Sequence, residues 1–144
     1  MKLNKIIQSL EEWAPSIYQE SYDNSGLIIG DINSKVSGCL ITLDCTEEVV
    51  DEAIKKNCNL IISHHPILFK SINRINFNTW ESRVIKKSIK NDINIYALHT
   101  NLDNVSNGVN KKICDILQMD NTEILRKKEN ISCRLDVYIP EKNK

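Results

Sequence analysis

Histidine, glycine and proline are scarce in this chain of 144 residues, which contains three, four and three of them respectively. The chain also lacks a C-x-x-C pair, a Gly-rich phosphate loop, internal repeats and low-complexity linkers. Its five cysteines are scattered, which is typical of reduced thiols in core or near-surface positions. No segment resembles a signal peptide or an apolar span of about 20 residues, so we expect a cytoplasmic protein with no membrane partner.

Neither sign of charge dominates, because 19 Lys and Arg residues balance 19 Asp and Glu residues. A balanced chain without a basic run has no field that attracts nucleic acid, so we expect no nucleic-acid partner. Hydrophobic residues make up 41% of the chain. This length and composition suffice for one core and are too small for two, so residues 1–144 are predicted to form a single domain.

Two of the three histidines are adjacent, and all three follow apolar runs. His64 and His65 come directly after NLIIS (59–63) and are followed by Pro66. His99 comes after INIYAL (93–98) and opens the sequence HTNLD, which ends at Asp103. Both histidine motifs are therefore predicted just beyond the C-terminal ends of strands, where α/β sheets build their ligand sites.

Consecutive side chains on a strand point to opposite faces, so His64 and His65 can share a site only if the strand has already ended. Pro66 supports this, because proline cannot donate to a ladder and restricts the residue before it. Such a pair suits two metal ions, which need a bridging carboxylate, and Asp103 is the natural candidate. The ligand types fit Zn, Mn, Fe, Co or Ni, and the identity of the metal stays open.

Simpler interpretations exist for some of these residues. A single histidine near a strand end, such as His99, is more often a surface or hydrogen-bonded residue than a ligand. Asp44 also lies at a predicted strand end, where it either supports the site or serves only as a structural residue at the entry of a helix. The sequence DNSG (23–26) is typical of an ordinary turn.

The periodicity of hydrophobic residues and the capping signals predict alternating helices and strands. Helices are predicted at 2–13, after Thr46, after Thr79 and after Gly108; strands are predicted at 27–29, 39–43, 59–63, 93–98 and 133–139. Trp80, Val84 and Ile89 are predicted on or near the buried side of their helix. The fold class is α/β, with a central, mostly parallel sheet, helices on both faces and an edge strand at the C-terminus.

The motifs resemble the Nif-three-like dinuclear metal-centre family, many members of which are called type-2 GTP cyclohydrolase I. The matching segments are DNSGL (23–27) with GD (30–31), LDCT (43–46), LIISHHPILF (60–69), and HTNLD (99–103) with GVN (108–110). The resemblance implies that His64 and His65 each bind one of two divalent ions, that Asp103 bridges the ions, and that His99 lies beside them as a supporting or proton-handling residue. Asn24, Asp44 and Thr100 are expected to contact substrate or to support the ligands.

The sequence departs from the family pattern in two places. Tyr22 stands where family members usually have tryptophan. The family completes its site with a histidine and a glutamate from a C-terminal portion, and this chain has no histidine after His99. The chain is therefore expected to correspond to an N-terminal half.

The function predicted by the resemblance is metal-dependent hydrolysis of a small-molecule substrate, such as a nucleotide or a phosphate ester. The alternative is a non-catalytic scaffold or regulatory interaction protein that the metal stabilises. A third hypothesis is a folding unit without activity. The resemblance also implies a homo-oligomer, with six subunits arranged in a ring.

Overall fold

The computed structural model describes residues 1–125, which form a four-stranded sheet with helices packed on it. In chain order the elements are α1 (Leu3–Trp13), a 3-10 turn (Ser16–Tyr18), β1 (Gly26–Ile29), β2 (Cys39–Thr42), α2 (Glu47–Lys55), β3 (Leu60–Ser63), α3 (Trp80–Lys90), β4 (Asn94–Ala97), α4 (Thr100–Asp103) and α5 (Val109–Ile116). The α/β fold class predicted from the sequence is confirmed. The predicted strand at residues 133–139 lies outside the described residues.

The sheet has the strand order β1-β4-β3-β2 and is mixed. β2, β3 and β4 are parallel neighbours, with Thr42 opposite Ser63 and Ser63 opposite Ala97. β1 runs antiparallel to β4. Since β3 and β4 are parallel and in register, the residues that follow Ser63 and Ala97 emerge at the same edge of the sheet, as predicted.

Side chains alternate between the two faces of a sheet along each strand. Both faces of this sheet carry apolar side chains, and helices cover both. On one face, Val50 and Ala53 of α2 and Val84 of α3 pack in a buried cluster with Ile61 and Ile95. The neighbouring residues on the strands face the other way. There Leu60, Tyr96 and Leu98 form a second buried cluster with Leu3 and Ala14 at the two ends of α1.

Two predicted helix starts are found with their caps in place. The Thr46 side chain accepts a hydrogen bond from Val49 N, and the Thr79 side chain accepts one from Ser82 N. These bonds satisfy backbone donors that the first helical turn leaves without a partner.

Within residues 1–125, no helix has the length and apolar content that crossing a membrane would require.

The buried side of α3 differs from the prediction at two positions. Val84 is buried as expected, but Trp80 is 46% exposed and Ile89 is 62% exposed. Ser82 and Ser88 are buried instead. A hydrophobicity pattern cannot detect a buried stripe that contains serine, so the pattern assigned the core positions to larger apolar residues nearby.

Candidate metal centre

The three histidines lie together at the end of the sheet where β3 and β4 stop. His64 N donates to Thr42 O (3.1 Å) and His65 N donates to Leu43 O (2.9 Å). In a regular strand only alternate N–H groups face the same neighbour, so two consecutive donors to one neighbour mark the point where the strand loses its regular geometry. This irregular end allows the two adjacent imidazoles to lie near one another.

The three imidazoles form a compact cluster. The ring centroids are 5.0 Å apart for His64 and His65, 5.2 Å for His64 and His99, and 5.5 Å for His65 and His99. One nitrogen from each ring lies within 4.8 Å of the others. Among residues 1–125, this is the one group of three histidine, cysteine or acidic side chains close enough to hold a metal ion.

Two of the three rings are held by carboxylates through the same nitrogen. His99 Nδ1 is 2.9 Å from Asp23 Oδ1, and His65 Nδ1 is 2.7 Å from Asp44 Oδ1. In each ring, Nε2 is the nitrogen that remains for a metal or a proton. This is the arrangement found around metal-binding histidines, where a carboxylate fixes the tautomer and orients the ring.

Asp23 is the most deeply buried acidic group of the centre, with a side chain that is 0% exposed. It accepts hydrogen bonds from Ser25 Oγ (2.9 Å), from Thr100 N (3.0 Å) and from the Thr100 hydroxyl. Burial by itself raises the pKa of Asp23, but the hydrogen bonds from Thr100, His99, Ser25 and the Asn24 backbone outweigh it and lower the pKa to about 2. The carboxylate therefore stays ionised at neutral pH.

The sequence prediction missed the role of Asp23, which it treated as part of an ordinary turn. The observed turn lies just before this motif, at Ser21 and Tyr22, and is closed by the bond from Asp23 N to Glu20 O (3.0 Å). The motif itself leads into β1 at Gly26, which adopts a φ of +114°. The role of Asp23 in the site depends on its contacts with His99 and Thr100, which lie more than 70 positions further along the chain. The one signal in the sequence was the DNSG motif itself, whose aspartate marks a turn equally well without any site.

Asp103, the predicted bridging ligand, lies on the short helix α4. Its Oδ1 is 3.9 Å from His64 Nε2, and the two side chains are 31% and 22% exposed. His64, His65 and Asp103 therefore converge at one edge of the sheet, as the sequence predicts. The bridging role of Asp103 remains a prediction.

Asn24, Asp44 and Thr100 were predicted to contact substrate or to support the ligands. Asp44 contacts His65 and Thr100 contacts Asp23, whereas the side chain of Asn24 bonds to the loop after the histidine pair. Thr100 is buried, binds Asp23 and accepts a hydrogen bond from Glu20 N (2.9 Å). Asn24 Nδ2 donates to Leu68 O (2.7 Å), which fastens the loop after the histidine pair. Asp44 orients His65 directly, and Thr100 bonds to Asp23, the carboxylate that orients His99. Contact with substrate remains a prediction.

The turn between β4 and α4 is fixed by one further side chain that the sequence prediction did not single out. Asn101 is 0% exposed, its Oδ1 accepts from His99 N (2.9 Å), and its Nδ2 donates to Ala14 O (2.7 Å). A buried amide with both ends bonded holds the backbone of His99 against α1.

The donor set fits a divalent transition metal. Three imidazole nitrogens and a nearby carboxylate match the N and O ligands that Zn, Mn, Fe, Co and Ni accept in proteins. Carboxylates on Nδ1 of His65 and His99 add the support that such ligands normally have. His64, His65 and His99 could therefore hold a metal ion.

Comparison with known proteins finds close relatives. A Clostridium acetobutylicum protein named GTP cyclohydrolase 1 type 2 homolog is 45% identical over 127 residues, covering 88% of this chain and 47% of the relative. A Staphylococcus aureus protein of the same name is 41% identical over 143 residues, covering 99% and 39%. The chain thus spans less than half the length of the curated relatives it matches.

The fold is also found in solved structures. The crystal structure of a Bacillus cereus protein related to NIF3 matches with a TM-score of 0.84 at 42% identity, covering 89% of this chain and 36% of that chain. The family model for Duf34/NIF3 (NGG1p interacting factor 3) matches residues 1–142. On this evidence of sequence and fold, the chain belongs to the DUF34/NIF3 family.

Proposed function

We propose that this chain carries metal-binding residues of a hydrolase that acts on a small-molecule substrate, such as a nucleotide or a phosphate ester. In this proposal His64, His65 and Asp103 hold two divalent ions, and His99 moves protons. The observation that carries the proposal is the convergence of three histidines within 4.8 Å at one end of the sheet. The name of the curated relatives, GTP cyclohydrolase 1 type 2 homolog, supports a nucleotide as the substrate.

When bound, divalent ions at such a centre lower the pKa of water and polarise a phosphate ester or a purine-ring carbon. The residues of this chain supply the rest. Asp23 holds His99 through Nδ1, which leaves Nε2 to accept or donate a proton within the site. Asp44 holds His65 in the same way and so fixes its orientation.

A second arrangement is favoured by the compactness of the cluster. In it, His99 binds the metal together with His64 and His65, as in three-histidine zinc sites. The two arrangements differ in what loss of the His99 ring does. If His99 only moves protons, His99→Ala retains the metal and loses turnover; if it is a ligand, the variant loses the metal.

A non-catalytic role is the rival function. The name of the family, NGG1p interacting factor 3, refers to a protein interaction. A metal-stabilised scaffold or regulatory protein would bind metal at the same residues without turning over any substrate.

The assembly proposed by family resemblance is a ring of six subunits in the cytoplasm, and sedimentation of the purified chain tests the ring.

The test is metal stoichiometry in a complete site at saturating Mn or Zn, measured by elemental analysis on purified variants. We expect Asp103→Ala to lose both ions, and His64→Ala or His65→Ala to lose one, because a bridging carboxylate serves two ions and each imidazole serves one. Asp51→Ala is the matched control, because Asp51 is an acidic residue that pairs with Lys87 away from the histidine cluster.

Two outcomes count against the proposal. Equal metal loss in the Asp103, His64 and His65 variants would exclude the bridging role. Turnover of GTP and of simple phosphate esters is then measured with and without metal. In a complete site, metal binding without turnover of either substrate would favour the scaffold function over the hydrolase. His64, His65 and Asp103 give each of two ions fewer than three ligands. We therefore expect this chain alone to bind metal weakly and to turn over little or nothing.

A further inference from the structure

Phe69 is a half-exposed aromatic residue beside the histidine cluster. Its ring centroid is 5.2 Å from that of His99, and the two rings are nearly perpendicular, at 86°. Phe69 is 47% exposed. A large apolar surface that stays open next to a candidate metal centre is available to a ligand bound there.

The backbone on the N-terminal side of Phe69 is fixed in place. Ile67 is 5% exposed and packs in the core cluster between the sheet and helices α2 and α3. Leu68 packs against the same cluster, and its carbonyl oxygen accepts the hydrogen bond from Asn24 Nδ2. Phe69 therefore extends from an anchored segment, which positions its ring relative to the histidines.

The perpendicular contact with His99 leaves room for stacking. In such a contact, either the edge of Phe69 meets the face of His99 or the face of Phe69 meets the edge of His99. In both cases at least one face of the Phe69 ring is not covered by His99. An aromatic face favours a planar ring stacked parallel and offset, because the π-systems attract in that geometry.

We propose that Phe69 is a stacking platform for a planar heteroaromatic ring of the substrate, which narrows the substrate class to nucleotide-like molecules over simple phosphate esters. This inference rests on the proposed function, because it assumes that the substrate binds at the histidine cluster. Phe69 determines specificity: it selects the ring and takes no part in the chemistry.

The experiment compares two probes, GMP and ribose 5-phosphate, of which only GMP carries a heteroaromatic base on the sugar phosphate. Their affinities are measured by calorimetric titration of the metal-loaded chain. We expect GMP to bind at least about tenfold more tightly, as stacking on one aromatic side chain provides. Phe69→Leu keeps an apolar side chain and removes the flat face, so the advantage of GMP should disappear. Phe69→Trp should retain it.

Phe77 provides the matched control. It is another partly exposed phenylalanine of the segment between β3 and α3, 43% exposed, but its ring lies under Lys86, with Nζ 4.1 Å from the centroid. Phe77→Leu should leave the preference for GMP unchanged. Metal content is measured on every variant and should equal that of the parent chain.

Equal affinities of the parent chain for GMP and ribose 5-phosphate would overturn the inference. So would a preference for GMP that survives in Phe69→Leu, or an equal loss of affinity for both probes in that variant. Failure of the proposed function looks different: a complete, metal-loaded site would prefer GMP through Phe69 and yet hydrolyse no substrate. Binding and turnover therefore test the two proposals separately.

Discussion

Two pairs of carboxylate and histidine support the candidate centre, Asp23 with His99 and Asp44 with His65, and they differ mainly in burial. The joining distances are similar, 2.9 Å and 2.7 Å. In the first pair the side chains are 14% and 0% exposed for His99 and Asp23; in the second they are 43% and 58% exposed for His65 and Asp44.

The comparison shows that one chemical arrangement can have two physical roles. Asp23 is closed off from water and is bonded by several donors, so removing it leaves buried groups without partners. Asp44 lies in water, which screens its attraction to His65 and can replace its hydrogen bonds. We therefore expect the Asp23 pair to matter for folding as well as for the site, and the Asp44 pair to matter for the site alone.

The largest expected effect is the loss of stability in Asp23→Ala. We expect the free energy of unfolding to fall by about 3 kcal/mol, because His99, Ser25 and Thr100 lose a buried acceptor. Asp44→Ala should change it by less than about 1 kcal/mol, as is usual for an exposed ion pair. Urea unfolding of both variants measures the contrast, and equal destabilisation would remove the distinction between the pairs.

The second expected effect is a difference between the two pairs in how the stability of the fold depends on pH. The pKa of Asp23 in the folded protein is about 2, below its ordinary value of 3.8. A group whose pKa is lowered on folding stabilises the fold at pH values above its pKa in the unfolded state. This contribution is lost as the pH falls through its pKa in the folded state. For Asp23 that amounts to about 2 kcal/mol lost between roughly pH 4 and pH 2.

The measurement is urea unfolding as a function of pH for the parent chain, Asp23→Asn and Asp44→Asn. Since Asn does not titrate, the Asp23 variant should show a smaller loss of stability below pH 4 than the parent chain. Asp44→Asn should follow the parent chain closely. A parallel decline in the Asp23 variant and the parent chain would contradict the assignment of the lowered pKa to this residue.

A third, smaller effect concerns metal affinity at the exposed pair. We expect Asp44→Ala to weaken metal binding about tenfold, because His65 loses the carboxylate that fixes its tautomer and orientation. Titration with Zn at neutral pH measures it, alongside unfolding data that verify an intact fold. An unchanged affinity in a folded variant would show that Asp44 is only a structural residue at the entry to α2.

The smallest effect is expected at Asn24, which links the turn containing Asp23 to the loop after the histidine pair. Asn24→Ala removes the bond to Leu68 O and should cost about 1 kcal/mol or less. Amide hydrogen exchange should quicken at residues 67–69. Asn91→Ala, which removes a local bond to Lys87 O, is the control and should leave this loop unaffected.

Much of the fold follows from local patterns in the sequence. α1, α2, α3 and α5 begin where caps and periodicity predict, and β2, β3 and β4 occupy the predicted apolar runs to within a residue at each end. The short helix α4, which carries Thr100 and Asp103, was not predicted, because four residues are too few for a periodic signal. Trp80 and Ile89 were misplaced because serines take the buried positions of α3.

The sequence by itself determined which residue types the centre contains and that its two histidine motifs meet. Adjacent histidines before a proline require an irregular strand end, and a crossover between parallel strands brings His99 to the same edge. These conclusions use only the period of a strand and the crossover rule for consecutive strand, helix and strand, and both apply to short stretches of the chain.

Only the tertiary structure decided which carboxylate holds which histidine, and how deeply. Asp23 and His99 are separated by 76 positions, and Asp44 and His65 by 21, so no local spacing marks either pair. Burial likewise depends on packing: the side chain of Asp23 is fully enclosed, whereas that of Asp44 is not. The strength of a hydrogen bond to a carboxylate depends on the surrounding dielectric, and that environment exists only once the chain has folded.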